Sequence, residues 1–129
     1  MTAPIGLGTD LVEVQRIADS IRKHGERFLS RCFADVERAE AIRSGEERPH
    51  ERFAARFAAK EAVLKALGTG WAGGIAWTDI KITSNEAGAP SIALSGRAAE
   101  VADHRGVRWW LCSMTHTETF ASATVIAFG

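Results

Sequence analysis

Glu61 and Lys65 stand one helical turn apart in the run from Arg52 to Gly70, RFAARFAAKEAVLKALGTG. Wound at about 3.6 residues per turn, this run puts Phe53, Phe57, Leu64 and Leu67 on one face. Ala54 and Ala58 lie beside that stripe, together with Glu61 and Lys65. A carboxylate and an ammonium with only methyl groups for neighbours leave room for a bulky ligand. Gly68-Thr69-Gly70 then stops the helix and offers bare backbone to whatever binds there. The competing reading is an ordinary i,i+4 Glu–Lys pair and a routine glycine cap.

A second carboxylate stands near the N-terminus, in Ile5-Gly6-Leu7-Gly8-Thr9-Asp10-Leu11-Val12. Read as a strand, Ile5, Leu7, Thr9 and Leu11 point one way, and Gly6, Gly8 and Asp10 the other. Glycine inside a strand marks a place where a ligand or another backbone comes close. An acid on a face cleared by two glycines is therefore a candidate functional group. The alternative is an Asp10 that caps a helix starting near Leu11.

Four segments carry a family resemblance: IGLGTDLVEVQRI at 5–17, FAARFAAKEAVLKALGTG at 53–70, NEAGAP at 85–90 and SMTHT at 113–117. In this order and at these spacings they resemble the holo-acyl-carrier-protein synthases, the short single-module branch of the 4′-phosphopantetheinyl transferases. The resemblance implies transfer of phosphopantetheine from coenzyme A to a serine of an acyl carrier protein, a step of fatty acid biosynthesis. Adenosine 3′,5′-bisphosphate would be the leaving group. It implies Asp10, Glu61 and Lys65 as catalytic residues, with Asp10 and Glu61 holding Mg²⁺ through carboxylate oxygens. Coenzyme A contacts would come from Arg56, Lys60, Lys65, Gly68, Thr69, Gly70, Pro90, His116 and Thr117. The acceptor of the serine proton stays open among Glu61, Lys65 and a water on the cation. Lys60 falls inside the apolar stripe, so snorkelling along apolar surface is its alternative to a phosphate contact. Arg56 lies off the carboxylate face and reads equally as a solvated charge or a subunit contact. Trp71 is placed either at a subunit contact or beside the coenzyme.

Acyl carrier proteins are acidic, whereas this chain carries no formal net charge. Attraction must then be local. Arg16 and Lys23 share a stripe on the first helix, and Arg22, Arg27 and Arg31 add charge nearby. The alternative is a plain solvated face. The resemblance further implies a homotrimer with active sites between subunits. Ala121, Ala123, Val125 and Ala127 form a strand face small enough for a neighbour's close approach. Departures from the family pattern are few: Ala89 stands where lysine is usual, and Val63-Leu64 replaces a common Phe-Ser. Two rival readings share the chemistry. One is a coenzyme A or nucleotide-binding module without transfer activity, the other a metal-dependent pyrophosphate hydrolase.

The elements expected to position these groups follow an irregular α and β order. A strand covers about residues 4–11, and a helix follows from about Glu13 to His24 with Val14, Ile17, Ala18 and Ile21 inward. Phe28 to Phe33 is a short bridge. Asp35, as cap, opens a helix to Ser44. Residues 45–49 are a loop, and the long helix runs from about His50 to Leu67. Strands are expected at 75–83 and 91–94 around a turn at 85–90. A helix at 96–104 ends at Gly106, and strands at 108–115 and 120–128 flank a hairpin turn. Strands and helices do not alternate regularly, which argues against a doubly wound sheet. The expected fold is α+β, a small antiparallel sheet packed against a long helix, in a single domain over 1–129.

Composition agrees. At 46% hydrophobic and 25% charged, the chain has enough apolar content for a packed core. No apolar run approaches the ~20 residues of a membrane span, and no signal-peptide pattern opens the sequence. Zero net charge speaks against general nucleic-acid binding. Cys32 and Cys112 form no CxxC and read as free thiols of a cytoplasmic protein.

Overall fold

The computed structural model describes residues 2–43, 48–71, 73–85 and 87–129. Strand β1 (Pro4–Glu13) leads into helices α1 (Val14–His24), α2 (Glu26–Cys32) and α3 (Asp35–Ala41). The long helix α4 (Pro49–Leu67) follows, then a 3₁₀ turn at Trp77–Asp79 and the hairpin β2 (Ile80–Ser84) and β3 (Pro90–Leu94). Helix α5 (Gly96–His104) precedes strands β4 (Trp109–His116) and β5 (Phe120–Phe128). The main sheet has the order β1-β5-β4, antiparallel throughout, and β2-β3 is a separate antiparallel pair. This is the expected α+β architecture, with a small antiparallel sheet against one long helix.

Helix α4 is buried around most of its circumference, including Phe53, Phe57, Leu64 and Leu67 of the stripe and Ala54, Ala58 and Ala62. Alanine lets a sheet approach such a helix closely, and β1 does so at its two glycines. A Cβ at Gly8 would overlap the carbonyl of Ala62, and one at Gly6 that of Ala66. The close neighbour anticipated at these glycines is therefore the backbone of α4. Asp10 lies two residues beyond Gly8 on the same strand face and belongs to β1, so it caps no helix.

The C-terminal strand corrects one expectation. Ala121, Ala123, Val125 and Ala127 are buried within the chain as part of the core and of the close α4 packing, so this small-residue face receives no second subunit. The opposite face of the sheet is the open one: Leu7 is 66% exposed, Leu11 64% and Leu111 50%.

Four boundaries also differ. The expected bridge at 28–33 is helix α2, separated from α1 by Gly25 at φ 52°. Seven residues are too few to display a helical period. Helix α3 stops at Ala41, and its first residue is Asp35 rather than its cap. The Glu37 carboxylate instead reaches back to accept the Ala34 N–H at 2.9 Å. The strand expected from Ile75 begins only at Ile80, because Asp79 accepts the Ala76 N–H at 3.1 Å and winds 77–79 into a turn. Of the loop at 45–49, residues 45–47 lie outside the described residues, as does residue 86 of the 85–90 turn.

Candidate active site

The glycine contact between β1 and α4 brings Asp10 to the face that carries Glu61 and Lys65. Lys65 Nζ donates to Asp10 Oδ1 at 3.1 Å and to the Thr9 carbonyl at 2.9 Å. Glu61 precedes Lys65 by one turn, and its Oε1 accepts the Trp71 indole N–H at 3.3 Å. Gly68 ends α4 in the left-handed region, φ 75°, with its N–H on Leu64 O at 2.8 Å. Gly70 is also left-handed, at φ 59°. The Thr69 hydroxyl donates to Gly70 O at 3.0 Å. The glycine stop is thus as expected, and it also folds Trp71 back over Glu61.

Among the described residues no group of three or more His, Cys, Asp or Glu could enclose a metal. A closed nitrogen and sulfur site of the zinc type is accordingly absent among them. Two carboxylates without imidazole or thiolate suit a hard divalent cation, one that completes its shell with water and phosphate oxygen. The donor set fits Mg²⁺ on Asp10 and Glu61.

The remaining coenzyme candidates lie elsewhere. Arg56, Pro90 and His116 line a cavity of about 440 Å³ together with Arg43, Arg52 and Asn85. Arg56 sits five residues before Glu61, hence about 140° around α4 from it. It is no solvated charge. The guanidinium is buried, with Nη2 on Glu40 Oε2 at 2.9 Å and Nη1 on the Arg52 carbonyl at 3.4 Å. Glu40 in turn accepts the Ser84 N–H, which fixes the β2–β3 end of the cavity.

His116 donates from Nδ1 to Glu51 Oε1 at 3.0 Å, so its Nε2 is left for the cavity side. Arg48, left-handed at φ 66°, pairs with both Glu51 and Glu118 and ties the hairpin turn to the start of α4. Thr117 shapes that turn: its hydroxyl accepts the N–H of Thr119 at 3.2 Å and of Phe120 at 3.1 Å. Arg43, Arg52 and Glu51 were not singled out from sequence. The Arg52–Arg56 spacing of one turn was the available signal for one of them, whereas Glu51 and His116 are 65 residues apart and carry no local sign of contact.

Lys60 is corrected outright. It neither snorkels nor reaches a phosphate, being 0% exposed. Its Nζ donates to Glu37 Oε1 at 2.8 Å, to the Trp77 carbonyl at 2.9 Å and to the Ile80 carbonyl. Three donors meet three acceptors, leaving none for a ligand. Burial pulls its ammonium below the usual lysine range, and the Glu37 carboxylate opposes that pull. Glu37 Oε2 accepts the Ile82 N–H at 3.0 Å, so the pair joins α3, α4 and β2.

Of the basic residues, Arg16 and Lys23 flank one depression on α1, and Arg27 and Arg31 another. Arg16 Cζ lies 5.5 Å from the Phe57 ring centre, partly committed to the core. Arg22 pairs with Asp19 at 3.1 Å. Hydrogen bonds from Gln15 and then Arg22 hold the Asp19 carboxyl below its ordinary range. Both cysteines are free thiols; burial raises the Cys32 thiol and pushes Cys112 up to about 11.

Comparison with known proteins fits this geometry. The family model of the 4′-phosphopantetheinyl transferase superfamily matches residues 6–121. A holo-[acyl-carrier-protein] synthase of Koribacter versatilis is 46% identical over 124 residues, spanning 95% of this chain and 96% of that one. The crystal structure of the synthase from Neisseria meningitidis superposes with a TM-score of 0.84 at 33% identity, covering 97% of this chain and 98% of that chain. The Helicobacter pylori synthase, solved in complex with coenzyme A, gives 0.81 at 30% identity over 94% and 98% of the two chains. The chain belongs to the 4′-phosphopantetheinyl transferase superfamily, and within it to the short single-module holo-acyl-carrier-protein synthase branch.

Proposed function

We propose that the chain transfers 4′-phosphopantetheine from coenzyme A to a serine of an apo acyl carrier protein, releasing adenosine 3′,5′-bisphosphate. The observation that carries this reading is Asp10 meeting Lys65 one turn from Glu61, in a chain whose relative was solved with coenzyme A. Asp10 and Glu61 would hold Mg²⁺, which supplies charge stabilisation to pyrophosphate oxygens when bound. Lys65 already donates two hydrogen bonds, the posture of a donor, and is half exposed, so it can turn one hydrogen to a phosphate oxygen. With Lys65 acting as a donor, the acceptors left for the serine proton are Glu61 and a water at the site. The bare backbone of Gly68, Thr69 and Gly70 borders the same end of α4.

Arg56, Pro90 and His116 belong to the cavity near the other end of α4, where clustered guanidinium groups and an imidazole suit the phosphates and base of a nucleotide. Along the helix Arg56 and Lys65 are nine residues apart, about 14 Å. They also project to opposite sides of α4, about 180° apart, so a coenzyme bound to both groups is served best by two chains, each giving one half. A homotrimer, with sites between subunits, provides that arrangement. The basic residues of α1 (Arg16, Arg22, Lys23, Arg27 and Arg31) would steer the acidic carrier toward Asp10. No described helix is long and apolar enough to cross a membrane. A cytoplasmic location is part of the proposal.

The deciding experiment incubates the protein with coenzyme A, Mg²⁺ and a panel of apo carrier proteins and reads intact masses. One phosphopantetheine added to one carrier serine is the expected result. Free phosphopantetheine with unmodified carriers would establish the pyrophosphate hydrolase instead, and coenzyme binding without either product the inactive binding module.

A further inference from the structure

Glu61 is exposed enough to turn. A glutamate at a helix surface has three free torsions, and a cation ligand must lose that freedom. In this chain the restraint comes from ten residues downstream. The two left-handed glycines, Gly68 and Gly70, reverse the chain so that Trp71 returns over α4 and its indole N–H meets Glu61 Oε1 at 3.3 Å. Trp71 is itself braced. Its ring lies 3.7 Å, centre to centre, from Trp77 at an interplanar angle of 36°. Trp77 stacks on Phe57 at 4.6 Å and 26°, and Phe57 is buried in the core. The Trp77 carbonyl is pinned by the buried Lys60 ammonium at 2.9 Å. Arg16 of α1 also lies over Phe57, its Cζ 5.5 Å from the ring centre.

We infer that Trp71 is a positioning residue: it holds one oxygen of Glu61 by its indole N–H and thereby presents the other to a divalent cation. This inference rests on the assignment of Glu61 as a metal ligand. A donor to one carboxylate oxygen fixes the side-chain torsions and leaves the second oxygen's lone pairs toward the site. Outer hydrogen-bond partners of metal ligands commonly act in this way, and their loss lowers metal affinity about 10- to 100-fold. The same geometry gives the Gly-Thr-Gly turn a second purpose besides ending the helix, since without two left-handed residues Trp71 would continue away from Glu61.

The test measures Mn²⁺ affinity by the paramagnetic resonance of the free ion, with coenzyme A present and no carrier protein, so that no turnover occurs. Trp71→Phe keeps a ring on Trp77 but loses the N–H. It is expected to bind Mn²⁺ about 10-fold more weakly, with an unchanged melting temperature. In turnover its apparent KM for Mg²⁺ should rise while kcat returns at saturating metal. Glu61→Gln, measured alongside, should lose Mn²⁺ binding. Wild-type affinity in Trp71→Phe with binding lost in Glu61→Gln would overturn the role of Trp71 alone. Wild-type affinity in both would remove the metal assignment of Glu61 and the inference with it. A measurement on the unaltered protein guards against a variant that fails to fold. Traces of Mn²⁺ should broaden the Trp71 indole ¹⁵N–¹H resonance before those of Trp109 and Trp110, and uniform broadening of all three would count against the contact.

Discussion

At the scale of single residues, chemistry and structure make different demands on similar side chains. Asp10 and Glu61 are two carboxylates with no third acid, His or Cys in a metal-sized group among the described residues. On the proposed assignment, removing either would leave a single protein ligand. Asp10→Ala and Glu61→Ala should each lower transfer by on the order of 100-fold or more, beyond the loss expected for an outer partner, with the fold intact by circular dichroism. Excess Mg²⁺ should restore part of the activity where affinity alone is lost; near-normal turnover in either variant would dismiss the metal assignment. Lys60 makes the opposite case. Its sequence context left snorkelling and phosphate contact open, because its acceptors come from Glu37 and from carbonyls 17 and 20 residues away. Lys60→Met would leave the Glu37 carboxylate buried without its cation. A loss of about 3–5 kcal/mol in denaturant unfolding is expected, while KM for coenzyme A in the folded fraction stays at the wild-type level. A selective rise in that KM without a stability loss would return Lys60 to the ligand.

At the scale of elements, the glycines of β1 show what was legible and why. Alternation placed Gly6, Gly8 and Asp10 on one strand face, and that is where they lie. The sequence could not say whether ligand or backbone would fill the cleared face, since the answer depends on α4 more than fifty residues later. Long, periodic α4 and the C-terminal strands were readable from their own patterns. Short α2, the start of α3 and the turn at 77–79 were not, because Gly25, Glu37 and Asp79 decide them through single backbone contacts. Gly8→Ala tests the packing directly. Its Cβ would press on the Ala62 carbonyl and sit 2.9 Å from Ala66 N, neither of which can move without unwinding α4. Destabilisation at or above the 1–3 kcal/mol typical of overpacking is expected, read as a lowered midpoint in urea; an unchanged midpoint would mean that β1 docks elsewhere. On α1, reversing Arg16 and Lys23 to glutamate should raise KM for an acidic carrier about 10-fold at low salt, with coenzyme A binding unaffected. The effect should shrink as salt rises, since the Debye length is about 8–10 Å near physiological ionic strength. Arg16 also covers Phe57, so a melting curve must accompany the kinetics. Unchanged dependence on carrier concentration would leave the stripe a solvated helix face.

At the scale of the whole molecule, the described residues leave one face of the sheet uncovered. Its inner face of small residues meets α4. Its outer face aligns Leu7, Ile126 and Leu111 in one row across three strands, with Leu11 two places along on β1. Trp109 stacks on Phe128 at the sheet end, ring centres 4.0 Å apart. Exposed apolar surface of this kind marks an interaction site. A closed three-fold ring would cover it and would set the basic cavity of one chain beside the carboxylates of the next. Light scattering at micromolar protein should therefore return three chain masses, and Leu7→Asp with Leu111→Asp should yield a folded chain of lower mass and little activity. Monomer mass with full activity in the wild type would exclude the ring. The sharing of sites has its own signature. Glu61→Ala lacks a carboxylate and His116→Ala lacks an imidazole of the cavity, and each alone should be nearly inactive. When the two variants are coexpressed and assemble at random, about a quarter of the interfaces draw an intact carboxylate from one chain and an intact imidazole from its neighbour. Activity should then return toward about a quarter of the wild-type value per site. Sites contained within single chains would give no recovery, because every chain in the mixture carries one of the two lesions.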